Sequence, residues 1–109
     1  MSTTDTFRAL ADPTRREILR LLRGRAMTAG ELAEHFALAK STLSGHFNVL
    51  RHAGLVVMER QSTRIVYSLS LSALEEAMSV VFELVKAPTK NKTTRRSRMK
   101  NRSAILNAV

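Results

Sequence analysis

Residues 28–69 read TAGELAEHFALAKSTLSGHFNVLRHAGLVVMERQSTRIVYSL, and this run decides the fold. It opens on Thr28-Ala29-Gly30-Glu31, the form of a capping box, in which Thr28 and Glu31 satisfy each other's free amides at a helix start. Leu32, Ala33 and Phe36 follow on one face, so the spacing predicts a short helix over 28–36. Ala37 to Ala39 leaves room only for a sharp corner. A second helix is predicted over 40–53, with Leu43, Phe47 and Leu50 at i, i+4 and i+7 on one stripe and Gly54 as its stop. Two segments rich in Val, Ile and Tyr come next, Val56 to Gln61 and Arg64 to Leu69, turning at Ser62-Thr63. That pair lacks the Asn-Gly or Asp-Gly of the tightest hairpins. Ile65, Tyr67 and Leu69 share one face. Helix, corner, helix and hairpin in this order is the sequence form of a winged helix-turn-helix, mainly α with a small β-hairpin: about five helices and a two-stranded wing.

Upstream, a helix over 6–11 is expected to bury Phe7 and Leu10. Asp12-Pro13 then restarts the chain, since Asp12 can cap free amides and Pro13 suits a first helical position that needs no N–H. That helix runs to about Leu22, with Ile18, Leu19 and Leu22 inward, Arg15, Arg16 and Arg20 outward, and Gly24 at its end. Downstream, a helix over 72–86 carries Leu71, Leu74, Met78, Val81, Phe82 and Val85 along one side until Pro88 stops it. There is no internal repeat.

A chain of 109 residues suits one domain with a modest core. Its apolar fraction is 44%, yet no apolar run approaches the ~18 residues of a membrane span. The polar start Met1-Ser2-Thr3-Thr4-Asp5 has no export signal. Cysteine is absent, which excludes disulfides and thiolate metal sites and fits a reducing, cytoplasmic setting. The formal net charge of +9 is unevenly spread. Lys90, Lys92, Arg95, Arg96, Arg98, Lys100 and Arg102 put +7 on residues 88–109, which hold no acid. Residues 1–87 carry 11 basic and 9 acidic side chains, only +2. The expected division is therefore a winged domain over 1–87 for DNA binding and dimerisation, and a basic, flexible tail over 88–109. The tail reads three ways: as an arm adding sequence-independent attraction to phosphate, as a solvated terminus, or as a short helix over 97–106.

If Leu43, Phe47 and Leu50 face the core, Ser41, Gly45, Asn48 and His52 turn outward, with Lys40, Thr42, Ser44 and His46 near the N-terminal half. Small hydroxyls, an amide and a lysine suit phosphates and base edges, and a helix N-terminus itself favours phosphate. Ser41, Thr42, Ser44, His46 and Asn48 are thus candidates for groove contacts, and Lys40, Arg60 and Arg64 for phosphates. The plainer alternative is an amphipathic helix with a solvated face, and arginines that are ordinary surface charges near Glu59. Gly45 sits mid-helix at a cost of about 1 kcal/mol relative to Ala. It reads either as room for close backbone approach to DNA or as a tolerated weakness.

The last helix has a longer apolar stripe than a small core covers, so a second copy of the chain is its expected partner. A symmetric dimer would hold two recognition helices one DNA turn apart, about 34 Å, matching an inverted repeat. The alternative is that the helix folds back on its own domain. His35, His46 and His52 lack metal spacing and lack partner ligands, so no metal or other cofactor is expected. No nucleophile-base pair, phosphate-cradling Gly loop or cofactor fingerprint appears, which argues against an enzyme.

Several runs together carry a resemblance. Ala9-Leu10-Ala11-Asp12-Pro13-Thr14-Arg15-Arg16-Glu17-Ile18-Leu19 resembles the opening of ArsR-type winged-helix repressors. Thr28 to Ala33, Ser44 to Leu50, Ala53-Gly54-Leu55-Val56 and Tyr67-Ser68-Leu69 are similar too, in family order, over about residues 5–87. Within the family the chain looks most like the metal-independent, SdpR-like autorepressor branch. The resemblance implies a homodimer built from the first and last helices, through Phe7, Leu10, Leu74, Met78, Val81, Phe82 and Val85. It implies an operator bound by the helix over 40–53 and the wing, and released by an inducer or a partner. Met27 to Ala33 lacks the cysteine box of metal-sensing members, and Leu74 to Val85 lacks their acidic and histidine ligands. Ser62 stands where a wing-tip glycine is usual, and Gly45 where histidine is common. Two other functions stay open at this point: a sensor whose first event is ligand or metal binding, and an interaction module without DNA binding.

Overall fold

Side-chain caps set most of the helix starts in the computed structural model, which describes residues 2–86. Ser2 caps α1 (Thr3–Leu10), its hydroxyl accepting from the Asp5 amide at 3.1 Å. That cap starts the helix three residues earlier than apolar spacing alone suggests. Asp12 caps α2 (Pro13–Gly24) by accepting from the Arg15 amide at 3.0 Å, with Pro13 in the first turn as expected. The capping box is also present: the Glu31 amide donates to Thr28 Oγ1 at 3.0 Å and the Thr28 amide to Glu31 Oε1 at 2.9 Å. It starts α3 (Ala29–Ala33), which ends three residues short of Phe36. Beyond it the chain continues in single turns, the His35 and Phe36 amides donating to the Leu32 and Ala33 carbonyls.

Helix α4 (Lys40–His52) closes on Gly54, whose φ is 77°. The Gly54 amide donates to the Arg51 carbonyl at 2.9 Å and the Leu55 amide to the Leu50 carbonyl at 3.0 Å. This double closure needs a left-handed residue, and glycine takes that conformation without a Cβ clash. Leu50 and Leu55, both fully buried, then pin the turn to the core.

The hairpin forms as expected from β2 (Val56–Gln61) and β3 (Arg64–Leu69), pairing Val56 with Leu69 through to Gln61 with Arg64. A third, very short strand joins the two-stranded wing. β1 (Met27–Thr28) lies on the other side of β3, with Met27 opposite Tyr67 and Thr28 opposite Val66, giving the antiparallel order β1-β3-β2. At the tip, Ser62 adopts φ 59°, the left-handed conformation that its expected glycine would take freely.

The core lies where α2, α3, α4 and the sheet meet. Ile18, Leu32, Leu43, Leu50 and Leu55 are buried, and the Phe47 and Tyr67 rings stack at 4.8 Å. Withdrawing each such side chain from water contributes about 1.5–3 kcal/mol. Leu43, Phe47 and Leu50 therefore anchor α4 along one stripe and leave its other face outward. Phe7 departs from expectation. It is 37% exposed, and Thr6 and Ala9 turn inward instead. A threonine there lets α1 approach the end of α4 closely, with Thr6 Oγ1 near the Ser2 and Ala53 carbonyls at 3.2 and 3.5 Å.

The chain divides into two units, Met1–Ser79 and Val80–Val109. The first contains this core, to which Leu74 of α5 (Ser72–Val85) adds, while Met78 is exposed. In the second, residues 80–86 are described; Val80, Val81, Phe82, Leu84 and Val85 are all exposed there. The expected basic tail over 88–109 lies outside the described residues.

Candidate nucleic-acid interface

The three core anchors of α4 determine which of its side chains reach outward. Lys40, Ser41, Thr42, Ser44, Gly45 and Asn48 are all exposed. Asn48 Oδ1 accepts from the Arg51 guanidinium at 3.1 Å, leaving its amide NH2 outward as a donor. No side chain caps α4, so its first-turn amides are not consumed by one. A Cβ built on Gly45 would meet nothing within 4 Å. Nothing inside the chain, then, requires a glycine at that position.

The wing supplies Arg60 and Arg64, both exposed. Their register separates them. Arg60 lies opposite Ile65 and Arg64 opposite Gln61, so alternation along the strands sends the two guanidiniums to opposite faces of the ribbon. Neither forms an ion pair among the described residues. Thr63 and Arg64 share a hollow of about 320 Å³ with Thr28, Ala29 and Gly30. The fold thus brings the wing tip beside the start of α3, a juxtaposition that sequence spacing does not show and that adds Thr63 to the polar surface.

His46 is corrected. It does not join the outward face: its side chain is 17% exposed and turned toward α2. Nδ1 lies 3.2 Å from Arg15 Nη1 and 4.0 Å from Asp12 Oδ2. A guanidinium can only donate, so a hydrogen bond between them has Nδ1 as its acceptor. Arg15, expected outward, is correspondingly folded over the end of α1, where Nε donates to the Ala9 carbonyl at 2.8 Å and Nη2 to the Arg8 carbonyl at 3.0 Å. The last carbonyls of a helix lack partners within it, and a cation is the natural one.

Asp12 joins this cluster as a carboxylate held below its ordinary value of 3.8, mainly because the Arg15 amide donates to it. Burial works the other way, and the proximity first of His46 and then of the Arg15 guanidinium adds to the lowering. The sign follows from a depressed folded value: the stabilisation is complete above the ordinary value and is lost as pH falls through the folded one. Asp12→Ala is therefore expected to cost about 1 kcal/mol at pH 7, the usual worth of such a cap. The difference from wild type should shrink toward pH 3, as urea denaturation at the two pH values would show.

Among the described residues, no three His, Asp or Glu side chains gather as a metal site, and no helix is long and apolar enough to cross a membrane.

A buried-stripe helix with a polar outer face, set behind a short capped helix and beside a wing, defines a winged helix-turn-helix protein of the kind that regulates transcription. Comparison with known proteins agrees. Residues 10–59 match a family model described as a helix-turn-helix domain. The transcriptional repressor SdpR of Bacillus subtilis is 40% identical over 81 residues, covering 74% of this chain and 90% of SdpR. The HTH-type transcriptional regulator CmtR of Mycobacterium tuberculosis is 40% identical over 80 residues, 73% of this chain and 68% of CmtR. Among solved structures, an ArsR family transcriptional regulator aligns with a TM-score of 0.67 at 29% identity, covering 79% of this chain and 92% of that one. The chain belongs to the ArsR-type winged helix-turn-helix family of transcriptional regulators, and its likeness to SdpR agrees with the branch that the sequence resembles.

Proposed function

We propose that this protein represses transcription by binding, as a homodimer, an operator with inverted-repeat symmetry, its own promoter being the first target to try. One observation carries the reading: the polar, exposed face of α4, held outward by Leu43, Phe47 and Leu50. Ser41, Thr42, Ser44 and Asn48 contact base edges, while Lys40, Arg60 and Arg64 contact phosphates. The opposed arginines of the wing suit phosphates on the two sides of one minor groove. His46 is assigned no contact, its side chain being 17% exposed and turned toward α2.

The dimer half of the proposal is supported by α5. Met78, Val81, Phe82 and Val85 recur at helical spacing and are exposed in the single chain, as is Phe7 of α1. Leu10 and Leu74 are half-buried and contribute their remaining surface. A second copy would withdraw this row from water.

The test is binding to genomic fragments, the promoter of its own gene included, at ~150 mM salt, where sequence-independent attraction is weak. Selective retardation of one or a few fragments is the expected result. Equal retardation of every fragment, abolished by salt, would remove the operator from the account.

Gly45 gives a second check. Gly45→Ala is expected to stabilise the fold by about 1 kcal/mol, since alanine favours a helix and the site is open. The same change is expected to weaken operator binding, because the methyl group projects where the DNA backbone approaches. Thermal denaturation and operator titration on one preparation separate the two effects.

A further inference from the structure

We infer that Arg15 is a positioning residue that locks the recognition helix to the first helix and so sets which spacing of DNA half-sites the dimer accepts. The inference rests on the proposed operator binding and deepens it.

Four contacts converge on this one residue. Its amide donates to the Asp12 carboxylate at 3.0 Å, which fixes the start of α2. Its guanidinium donates to the Ala9 and Arg8 carbonyls at 2.8 and 3.0 Å, which holds the end of α1. The remaining arm donates to His46 Nδ1 at 3.2 Å, in the middle of α4. Arg15 and His46 are 31 residues apart in sequence. The guanidinium is planar and its donors are fixed relative to one another, so a bond to each helix fixes one helix against the other. Besides this guanidinium, α1 meets the end of α4 through Thr6, whose Oγ1 lies 3.5 Å from the Ala53 carbonyl. Thr6 and Ala9, the inward residues of α1, are small and offer little surface to interlock.

The consequence follows from where the two helices lead. α1 carries the exposed Phe7 of the proposed dimer surface, and α4 carries the proposed groove face. In a dimer, the separation of the two recognition helices is set by the dimer interface and by the angle each α4 keeps to its own α1. Adding one base pair between half-sites shifts them by about 3.4 Å and turns one about 35° around the duplex. A rigid joint refuses that change, and a loose one absorbs it.

The experiment titrates the full-length protein on its selected operator and on versions with one base pair inserted or removed at the centre. Wild type is expected to lose at least tenfold in affinity on either altered operator. Arg15→Met, which keeps the apolar stem, is expected to bind the intended operator about tenfold more weakly but to lose less than threefold on altered spacing. His46→Phe fills the same space without an acceptor and should behave alike, serving also if Arg15→Met fails to fold. His46→Gln restores an acceptor and should restore the spacing preference, which a purely structural role would not. The double variant Arg15→Met/His46→Phe should be no looser than either alone. Folded variants that keep the wild-type spacing preference would overturn the inference while leaving operator binding intact. A wild type that selects no operator would overturn the underlying reading instead, and this inference with it.

Discussion

Ser44→Glu is expected to abolish selective DNA binding while leaving the fold and the dimer untouched. Ser44 is exposed in the N-terminal half of α4, one residue past the buried Leu43, and it borders a hollow shared with Lys40 and Phe47. Glutamate is a good helix former and the position is exposed, so stability should hold within about 0.5 kcal/mol. Against DNA the outcome reverses. The carboxylate would lie in a groove lined by phosphates, and it would displace a hydroxyl able to both donate and accept. A loss of at least a hundredfold is expected, about 2.7 kcal/mol. Gel-shift titration of the operator measures it, with circular dichroism and light scattering as the controls. Wild-type affinity in this variant would mean that another surface of the protein binds DNA.

The second large effect concerns Phe82, which is 64% exposed in the single chain, between Met78 at 63% and Val85 at 71%. Phe82→Glu places a charge in the centre of the row that the dimer is proposed to cover. Burying a carboxylate without a partner costs several kcal/mol, more than a modest apolar contact returns. The variant is expected to sediment as a monomer at micromolar concentration and to retain a folded core, since none of the buried residues is altered. Operator affinity should fall at least a hundredfold as well, because one recognition helix then holds one half-site alone. The single tyrosine, Tyr67, reports the fold independently, since the chain has no tryptophan and Tyr67 stacks on Phe47. A Phe82→Glu protein that stayed dimeric would move the interface off α5.

Local chemistry made much of this fold legible in the sequence. Thr28 with Glu31, Asp12 with Pro13, and Gly54 after a three-residue stripe each act within a few residues, and each appears in the structure as read. What escaped was set by contacts between distant residues. β1 is only Met27 and Thr28, too short for any periodicity to register, and it exists because β3 offers it a free edge. Hydropathy points Phe7 inward, yet the tight approach of α1 to Ala53 admits Thr6 rather than a ring. Helical spacing puts His46 near the groove-facing N-terminal half of α4. Its true position depends on Arg15, which lies on another helix.

The candidate site divides in the same way. Ser41, Thr42, Ser44 and Asn48 are outward because one helical stripe is inward, and that is a property of the helix alone. The wing arginines needed the hairpin register as well. Once Ser62-Thr63 is a two-residue turn, pairing Gln61 with Arg64, alternation alone puts Arg60 and Arg64 on opposite faces. Ser62 holds that turn with a left-handed backbone despite carrying a Cβ.

The most direct test of the central claim is a hydroxyl-radical footprint of the full-length protein on its selected operator, with the number of bound chains counted on the same complex. The account predicts two chains per site and two protected patches related by a dyad, their centres about one helical turn, ~10 base pairs, apart. A single protected patch with one chain, or protection spread evenly along the fragment, would contradict it.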